Sequence, residues 1–264
     1  MANSIDLFNK IVYFLITGAS RGIGKTMAIE TSKNFAPGSV VVLLARSQSG
    51  LEDTRSKIME SNAGIKVIIK SIDLTKPSVE EYDEIIADSF DKSVKYDQAM
   101  IIHNVGTLGD VAKWSTDIEN YKELENYFSI NVFAPTILNN RLLKRFPIDL
   151  KKFVVNVTSK AGLTPFKSFT FYCMGKAARE MYFRCLAEEF PNLLILNYSP
   201  GPVESEMTVY AQNSSASSEV SGMFKNLRDQ GTILTTEMTT RKFLDVVKAG
   251  KYVNGGHVDY YDDL

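Results

Sequence analysis

Apolar, β-branched runs recur along this 264-residue chain with stretches of helical length between them. The runs are IVYFLIT at 11–17, SVVVLLAR at 39–46, KVIIKSID at 66–73, QAMIIHNV at 98–105, FVVNVTS at 153–159 and LLILNYSP at 193–200, with a shorter HVDYY at 257–261. Most are apolar at consecutive positions rather than alternating, the pattern of strands covered on both faces. Between them, segments at about 22–35, 50–62, 78–91, 117–146, 171–189 and 236–249 have helical length. Strand and helix alternating this often predict right-handed crossovers and a doubly wound parallel sheet. No internal repeat and no linker rich in Pro, Gly or Ser divides the chain, so residues 1–264 read as one α/β domain. The stretch 204–232, with SSASS at 214–218, is polar and weakly periodic. It reads as a surface loop, either merely solvated or serving as a mobile lid beside a site.

Charge and composition remove several alternatives. Thirty Lys and Arg against 31 Asp and Glu leave a net charge of −1, which does not supply the basic surface that nucleic-acid binding by counterion release requires. The longest apolar runs fall far short of the roughly 20 residues that span a bilayer. The N-terminal MANSIDLFNK carries Asp6 and Lys10 and no apolar segment of secretory type. A soluble, cytoplasmic protein without membrane or nucleic-acid partners is therefore expected. Cys173 and Cys185 stand twelve positions apart; on one helix they are separated by about 18 Å and cannot bridge. No metal site is expected.

The end of the first run reads TGASRGIGK, residues 17–25. Gly18, Gly22 and Gly24 follow a predicted strand and open a predicted helix, the context in which such a match carries meaning. Glycines let the backbone approach a pyrophosphate, and the helix N-terminus offers N–H groups and a partial positive charge. The spacing is Gly-x3-Gly-x-Gly rather than Gly-x-Gly-x-x-Gly. An NAD site places an acid at the end of the second strand to accept from the ribose 2′-hydroxyl. This chain has Arg46 followed by Ser47. Arg46 pairs well with a 2′-phosphate, with Arg21 approaching from the other side, so NADP(H) is expected rather than NAD; the other reading of Arg46 is a solvated strand-end cation. Asp73, ending the third run, either accepts from the adenine amino group or caps the next turn.

In FYCMGK, residues 171–176, Tyr172 and Lys176 are four apart and share a helix face. Ser159 ends the fifth strand, at the edge where open α/β sheets place ligands. Reducing a carbonyl requires a positioned hydride, a proton donor and stabilisation of the developing oxyanion. An ammonium about 4 Å from the phenol, at an effective dielectric of about 20, favours the phenolate by roughly 4 kcal/mol, or about three pKa units. That would bring the phenol near working pH and suit it to general acid catalysis. The Ser159 hydroxyl would hold the substrate oxygen against Tyr172. A lone Tyr-x3-Lys is common on amphipathic helices; the combination with Ser159 and the glycine loop gives it weight. Asn131, in SINVFAP, sits mid-helix, where Asn is a mediocre former. It either exposes a backbone carbonyl that holds a water against Lys176 or is a satisfied core amide.

These residues resemble the short-chain dehydrogenase/reductase family over essentially the whole chain. TGASRGIG resembles its cofactor loop, HNVG at 103–106 its Asn-Asn-Ala-Gly segment, Asn131, Ser159, Tyr172 and Lys176 its catalytic tetrad, and SPG at 199–201 the Pro-Gly turn beside the nicotinamide. His103 and Val105 depart from that pattern, while Asn104 and Gly106 keep it. The resemblance implies a single-domain Rossmann-type sheet of about seven strands, in the order 3-2-1-4-5-6-7, with helices on both faces. It also implies NADPH/NADP+ contacts from Gly18, Ser20, Arg21, Gly22, Ile23, Gly24, Arg46, Ser47, Asp73, Leu74, Asn104, Gly106, Tyr172, Lys176, Pro200, Gly201 and Val203. A homodimer through a four-helix interface, built from the helices at 117–146 and 171–189, follows from the same likeness.

Several segments, GGHVDYYDD at 255–263 most tellingly, are similar to the family's pterin-reducing members. That likeness implies reduction of side-chain carbonyls on a reduced pterin, closing tetrahydrobiopterin synthesis. Thr158, Ser159, Tyr172, Gly201, Met207 and Asp259 would contact the substrate. The 2-amino-pyrimidinone edge presents two adjacent N–H donors, and the Asp259 carboxylate can accept both; the plainer reading of Asp259 is a solvated acid in an acidic tail. Two rival functions stand beside this one, a broad reductase of diketones and quinones and a non-catalytic NADP(H)-binding sensor. Neither His103 nor His257 is expected to be a catalyst.

Overall fold

The computed structural model describes residues 6–7, 9–76 and 78–263, so the N-terminal segment considered above lies partly outside the described residues. Strands β1 (Val12–Thr17), β2 (Val40–Ala45), β3 (Lys66–Ser71), β4 (Gln98–His103), β5 (Lys151–Val157), β6 (Leu194–Ser199) and β7 (His257–Asp259) form one sheet in the order β3-β2-β1-β4-β5-β6-β7. Every pairing is parallel, as the repeated crossovers predict.

Strand alternation sends side chains to two cores. Phe14, Ile16, Val41, Leu43, Met100 and Ile102 face one way, beneath α1 (Gly22–Ser32), α2 (Gln48–Ser61) and α9 (Thr236–Ala249). Tyr13, Leu15, Val42, Leu44 and Ile101 face the other, beneath α3 (Val79–Ser89), α5 (Ala134–Arg145) and α6 (Thr170–Glu189). Both faces of β1, β2 and β4 are therefore buried, which explains why their sequences are apolar without alternation.

One row across this sheet is polar. Register aligns His103 with Asn156, Asn156 with Asn197, and Asn197 with His257. The first three are completely buried. Asn156 donates its amide to Asn197 Oδ1 at 2.8 Å, and Asn197 donates to the Gly255 carbonyl at 2.8 Å. His103 meets Asn139 at 3.2 Å, and burial with the nearby Arg179 cation pushes its pKa down to about 3, so its ring stays neutral.

The structure corrects two expectations. The long helix expected over 117–146 is α4 (Tyr121–Phe128) joined to α5 by a π turn over Ser129–Phe133. Asn131 lies at the middle of that turn, and such bulges concentrate at functional sites. The stretch 204–232 is not a loop but a helical hairpin, α7 (Glu206–Ser214) and α8 (Ser218–Asp229). Its serines terminate helices: Ser205 Oγ accepts from Thr208 N–H and Ser217 Oγ from Val220 N–H. Arg228 bridges Glu204, Thr208 and Gln212. Val220, Phe224 and Ala211 pack onto Leu108 and Phe169 in a small third core. Among the described residues, no helix is long and apolar enough to cross a membrane.

Candidate active site

The glycine loop leaves β1 and enters α1 beside the end of β4. Gly18 has φ +72, and a Cβ there would lie 2.7 Å from the Asn104 amide; a Cβ on Gly24 would collide with the Gly18 carbonyl. Thr17 Oγ1 accepts from the Asn104 and Val105 N–H groups at 3.0 and 3.2 Å, and Asn104 Nδ2 donates to Thr17 O at 3.1 Å. Loop and β4 end thus form one tight cradle. The first turn of α1 carries no acid, and the side chain of its N-cap residue, Arg21, makes no capping bond, so the helix dipole there is left for an anion.

At the end of β2, Arg46 and Ser47 are exposed, and Ser47 Oγ accepts from Gly50 N–H to start α2. These residues fit a dinucleotide bearing a 2′-phosphate: a cation stands where an NAD site needs a carboxylate. Arg21, also exposed, pairs with Glu206 of α7. Asp73 accepts from Thr75 N–H at 3.0 Å, a bond that caps the turn after β3 and holds its carboxyl below the usual range.

Beyond the cradle opens a cavity of about 640 Å³. Its wall includes Ile23, Ser159, Tyr172, Pro200, Gly201, Val203, Met207, His257 and Asp259, with apolar surface from Phe166, Phe169, Met223, Phe224 and Leu227. Ser159 caps the short turn after β5, accepting from Ala161 N–H at 3.2 Å, which leaves its own proton to donate. Asp259 is oriented by protein donors: Ser199 Oγ–H donates to Oδ2 at 2.6 Å and Tyr261 N–H to Oδ1 at 3.1 Å. Thr158 lies behind the wall; it is buried and donates its hydroxyl to Glu180 at 2.7 Å.

Lys176 is buried one turn beyond Tyr172, its Nζ 5.4 Å from the phenol ring centre and donating to Val157 O at 2.7 Å. From the four-residue spacing alone this ammonium is expected to pull the phenol toward working pH. Instead, burial raises the Tyr172 pKa, opposed by hydrogen bonding from Ser159 and by the Arg179 charge. Burial and Arg179 in turn push the Lys176 pKa well down. Desolvation, absent from a sequence-level Coulomb estimate, dominates both groups.

Asn131 is a satisfied core amide. Its Oδ1 accepts from Thr107 N–H at 2.8 Å, and its Nδ2 donates to Tyr127 O at 2.9 Å and Thr107 Oγ1 at 3.1 Å. A Cβ on Gly106 would stand 3.2 Å from that Oδ1 and 3.8 Å from Lys176 Nζ, so Gly106 keeps the three elements in close approach. Cys173 and Cys185 both lie on α6 as free thiols, as expected.

Sequence reasoning missed Arg179 and Glu180 on α6. Arg179 is 2% exposed, donating to Asn156 Oδ1 at 2.6 Å, to Val105 O at 2.7 Å and to His103 O. Burial lowers its pKa only to about 10, so it remains a cation. Glu180, also 2% exposed, accepts from Thr158 and meets His257 Nδ1 at 3.0 Å. The available signal was a polar residue at one register position in each of four neighbouring strands.

A phosphate cradle at the first βα turn, with Ser, Tyr and Lys gathered over the sheet's carboxyl edge, defines a nicotinamide-dependent oxidoreductase. Residues 12–216 match the short chain dehydrogenase family, and the chain belongs to it. It is similar to the sepiapterin reductase of Xenopus tropicalis, 36% identical over 95% of this chain and 97% of that one. It is also similar to the sepiapterin reductase of Rattus norvegicus, 33% identical over 94% and 95%. Among solved structures, a short-chain dehydrogenase/reductase from Saccharomyces cerevisiae superposes with a TM-score of 0.80 at 25% identity, covering 95% of this chain and 96% of that one. The chain is thus an oxidoreductase of the NADP(H)-dependent, carbonyl-reducing type.

Proposed function

We propose that this enzyme reduces the side-chain carbonyls of a pterin such as sepiapterin or 6-pyruvoyl-tetrahydropterin, the final step of tetrahydrobiopterin synthesis. The observation that carries the reading is Asp259. It is a carboxylate aimed by two donors on the wall that also holds Ser159 and Tyr172. Its oxygens can take the paired N–H groups of the 2-amino-pyrimidinone edge, while the apolar wall takes the flat ring. Gly201 and Met207 complete that wall.

NADPH would be held by the cradle of Gly18, Ser20, Arg21, Gly22, Ile23 and Gly24, with Arg46 and Ser47 serving the 2′-phosphate, Asp73 and Leu74 the adenine side, and Asn104, Gly106, Pro200 and Val203 the remainder. When bound, it supplies the hydride. Tyr172 gives its phenolic proton to the carbonyl oxygen as negative charge develops there. The Ser159 O–H donates to the same oxygen, and Lys176 and Asn131 hold the phenol and the neighbouring backbone in place. The hairpin α7–α8 serves as a lid on this single domain, and the enzyme works as a cytoplasmic homodimer.

A second reading, a broad reductase of diketones and quinones, is favoured by the apolar share of the cavity wall. NADPH consumption with sepiapterin, a small diketone and a quinone side by side separates the two. In the first reading Asp259→Ala lowers the ratio of kcat/KM for sepiapterin over diketone by at least about tenfold, the loss of a charge-assisted pair. An unchanged ratio removes Asp259 as the anchor and favours the broad reductase.

A further inference from the structure

We propose that Glu180, through His257, is a positioning residue that fixes the Asp259 anchor at its working distance from Tyr172; this rests on the Asp259 reading above. Strand β7 is three residues long and pairs with β6 alone. So short an edge strand is weakly held by backbone bonds, and the anchor stands at its end. His257 and Asp259 are two apart and project to the same face of the strand. Tyr172, Lys176 and Glu180 are spaced by four, one behind another along α6.

Glu180 joins these two rows. Its carboxylate accepts from Thr158, the residue before Ser159, at 2.7 Å and meets His257 Nδ1 at 3.1 and 3.0 Å. One buried side chain therefore ties the strand end that carries Ser159, the helix that carries Tyr172, and the strand that carries Asp259. Gly255 seats the same segment against α6: with φ +72, a Cβ there would lie 2.7 Å from Ala187 Cβ. Nothing in a phosphate cradle or a Tyr–Lys pair requires a buried acid two turns further on. A substrate held at its far end does require the distance from anchor to proton donor to be set, because misplacement by about 1 Å costs on the order of a hundredfold in rate.

The test compares sepiapterin with butane-2,3-dione, which has no ring for Asp259 to hold, in the full-length enzyme and its E180Q, H257Q, E180Q/H257Q and D259N variants. NADPH binding, followed by fluorescence, and melting temperature check that each is folded. The His257 side chain is 15% exposed, so H257Q carries the test if E180Q fails to fold. E180Q and H257Q are each expected to lower kcat for sepiapterin at least tenfold more than kcat for the dione, with little change in KM, because the anchor is present but misplaced. D259N instead raises the sepiapterin KM. The double variant loses no more than about twofold beyond the worse single, since both act through one link. Equal losses on both substrates, or additive losses in the double variant, overturn the proposal and leave Glu180 a purely structural acid. If D259N changes the substrate ratio while E180Q and H257Q do not, the positioning role alone falls. If D259N leaves the ratio intact, the anchor reading falls and the proposal with it.

Discussion

At the centre of the site a phenol, an amine and a guanidinium occupy successive turns of α6, and burial acts on each differently. Loss of water penalises every charged form, so Tyr172 is held above the ordinary phenol range and Lys176 below that of an amine. Arg179 keeps its proton and is the fixed cation of the group. Its charge favours ionised Tyr172 and neutral Lys176, partly offsetting desolvation of the first and adding to that of the second. In the proposed mechanism reduction consumes the phenolic proton and so needs the acid form. A pKa raised above about 10 keeps that form intact through the neutral range. The kcat/KM for ketone reduction should therefore show no loss from Tyr172 ionisation below about pH 10, whereas alcohol oxidation, which needs the phenolate, should climb toward that pH. A pH profile of the free enzyme in both directions checks this; a reduction limb falling near pH 7 that Tyr172→Phe removes would contradict it. Tyr172→Phe should itself lower turnover by about 10²–10⁴-fold with NADPH binding retained. Arg46→Asp replaces the proposed 2′-phosphate partner by a 2′-hydroxyl acceptor, so the NADPH/NADH ratio of kcat/KM should fall by at least about tenfold, measured with both coenzymes.

The elements divide into those whose signal is local and those whose signal is not. The parallel strands could be read because burial on both faces leaves an unbroken apolar run, and α9 has the bounds its segment suggested, 236–249. Tyr172 and Lys176 could be read because helix period alone puts them together. The hairpin α7–α8 could not: its apolar contacts are few, and its serines, which look like loop composition, are caps. The π turn at Asn131 was equally hidden, since one extra residue leaves no periodic trace over so short a span. Arg179 and Glu180 resemble ordinary surface charges until the register of four strands lays a polar row under them. The glycine loop tests how far an element depends on one residue. A Cβ at Gly24 collides with the Gly18 backbone as well as with the Asn104 side chain, so the loop must open away from β4. Gly24→Ala should weaken NADPH binding by at least about tenfold and lower stability by about 1–3 kcal/mol; fluorescence titration and denaturant unfolding measure the two. Wild-type affinity in that variant would show that the cradle is looser than its contacts indicate.

For the whole molecule, the surface left outside the two cores carries its own pattern. Met174 and Met181 on α6 are 42% and 53% exposed, and they are seven positions apart, which places them on one face. Phe133 in the π turn is 47% exposed and Tyr121 at the start of α4 is 75% exposed. These apolar side chains lie on the helices that also carry Asn131, Tyr172 and Lys176. Burying them against a second copy would brace the helices that carry the reacting groups. A symmetric pair is the commonest closed arrangement of such a patch, and the homodimer expected from the family likeness fits it. Sedimentation of the wild-type enzyme should give a dimer near 59 kDa, about twice the 29.5 kDa chain. Met174→Glu combined with Met181→Glu, which would bury like charges at the contact, should give a monomer. A wild-type enzyme that sediments as a monomer at micromolar concentration, with full turnover, would show that the α4–α5 and α6 helices hold the site without a partner.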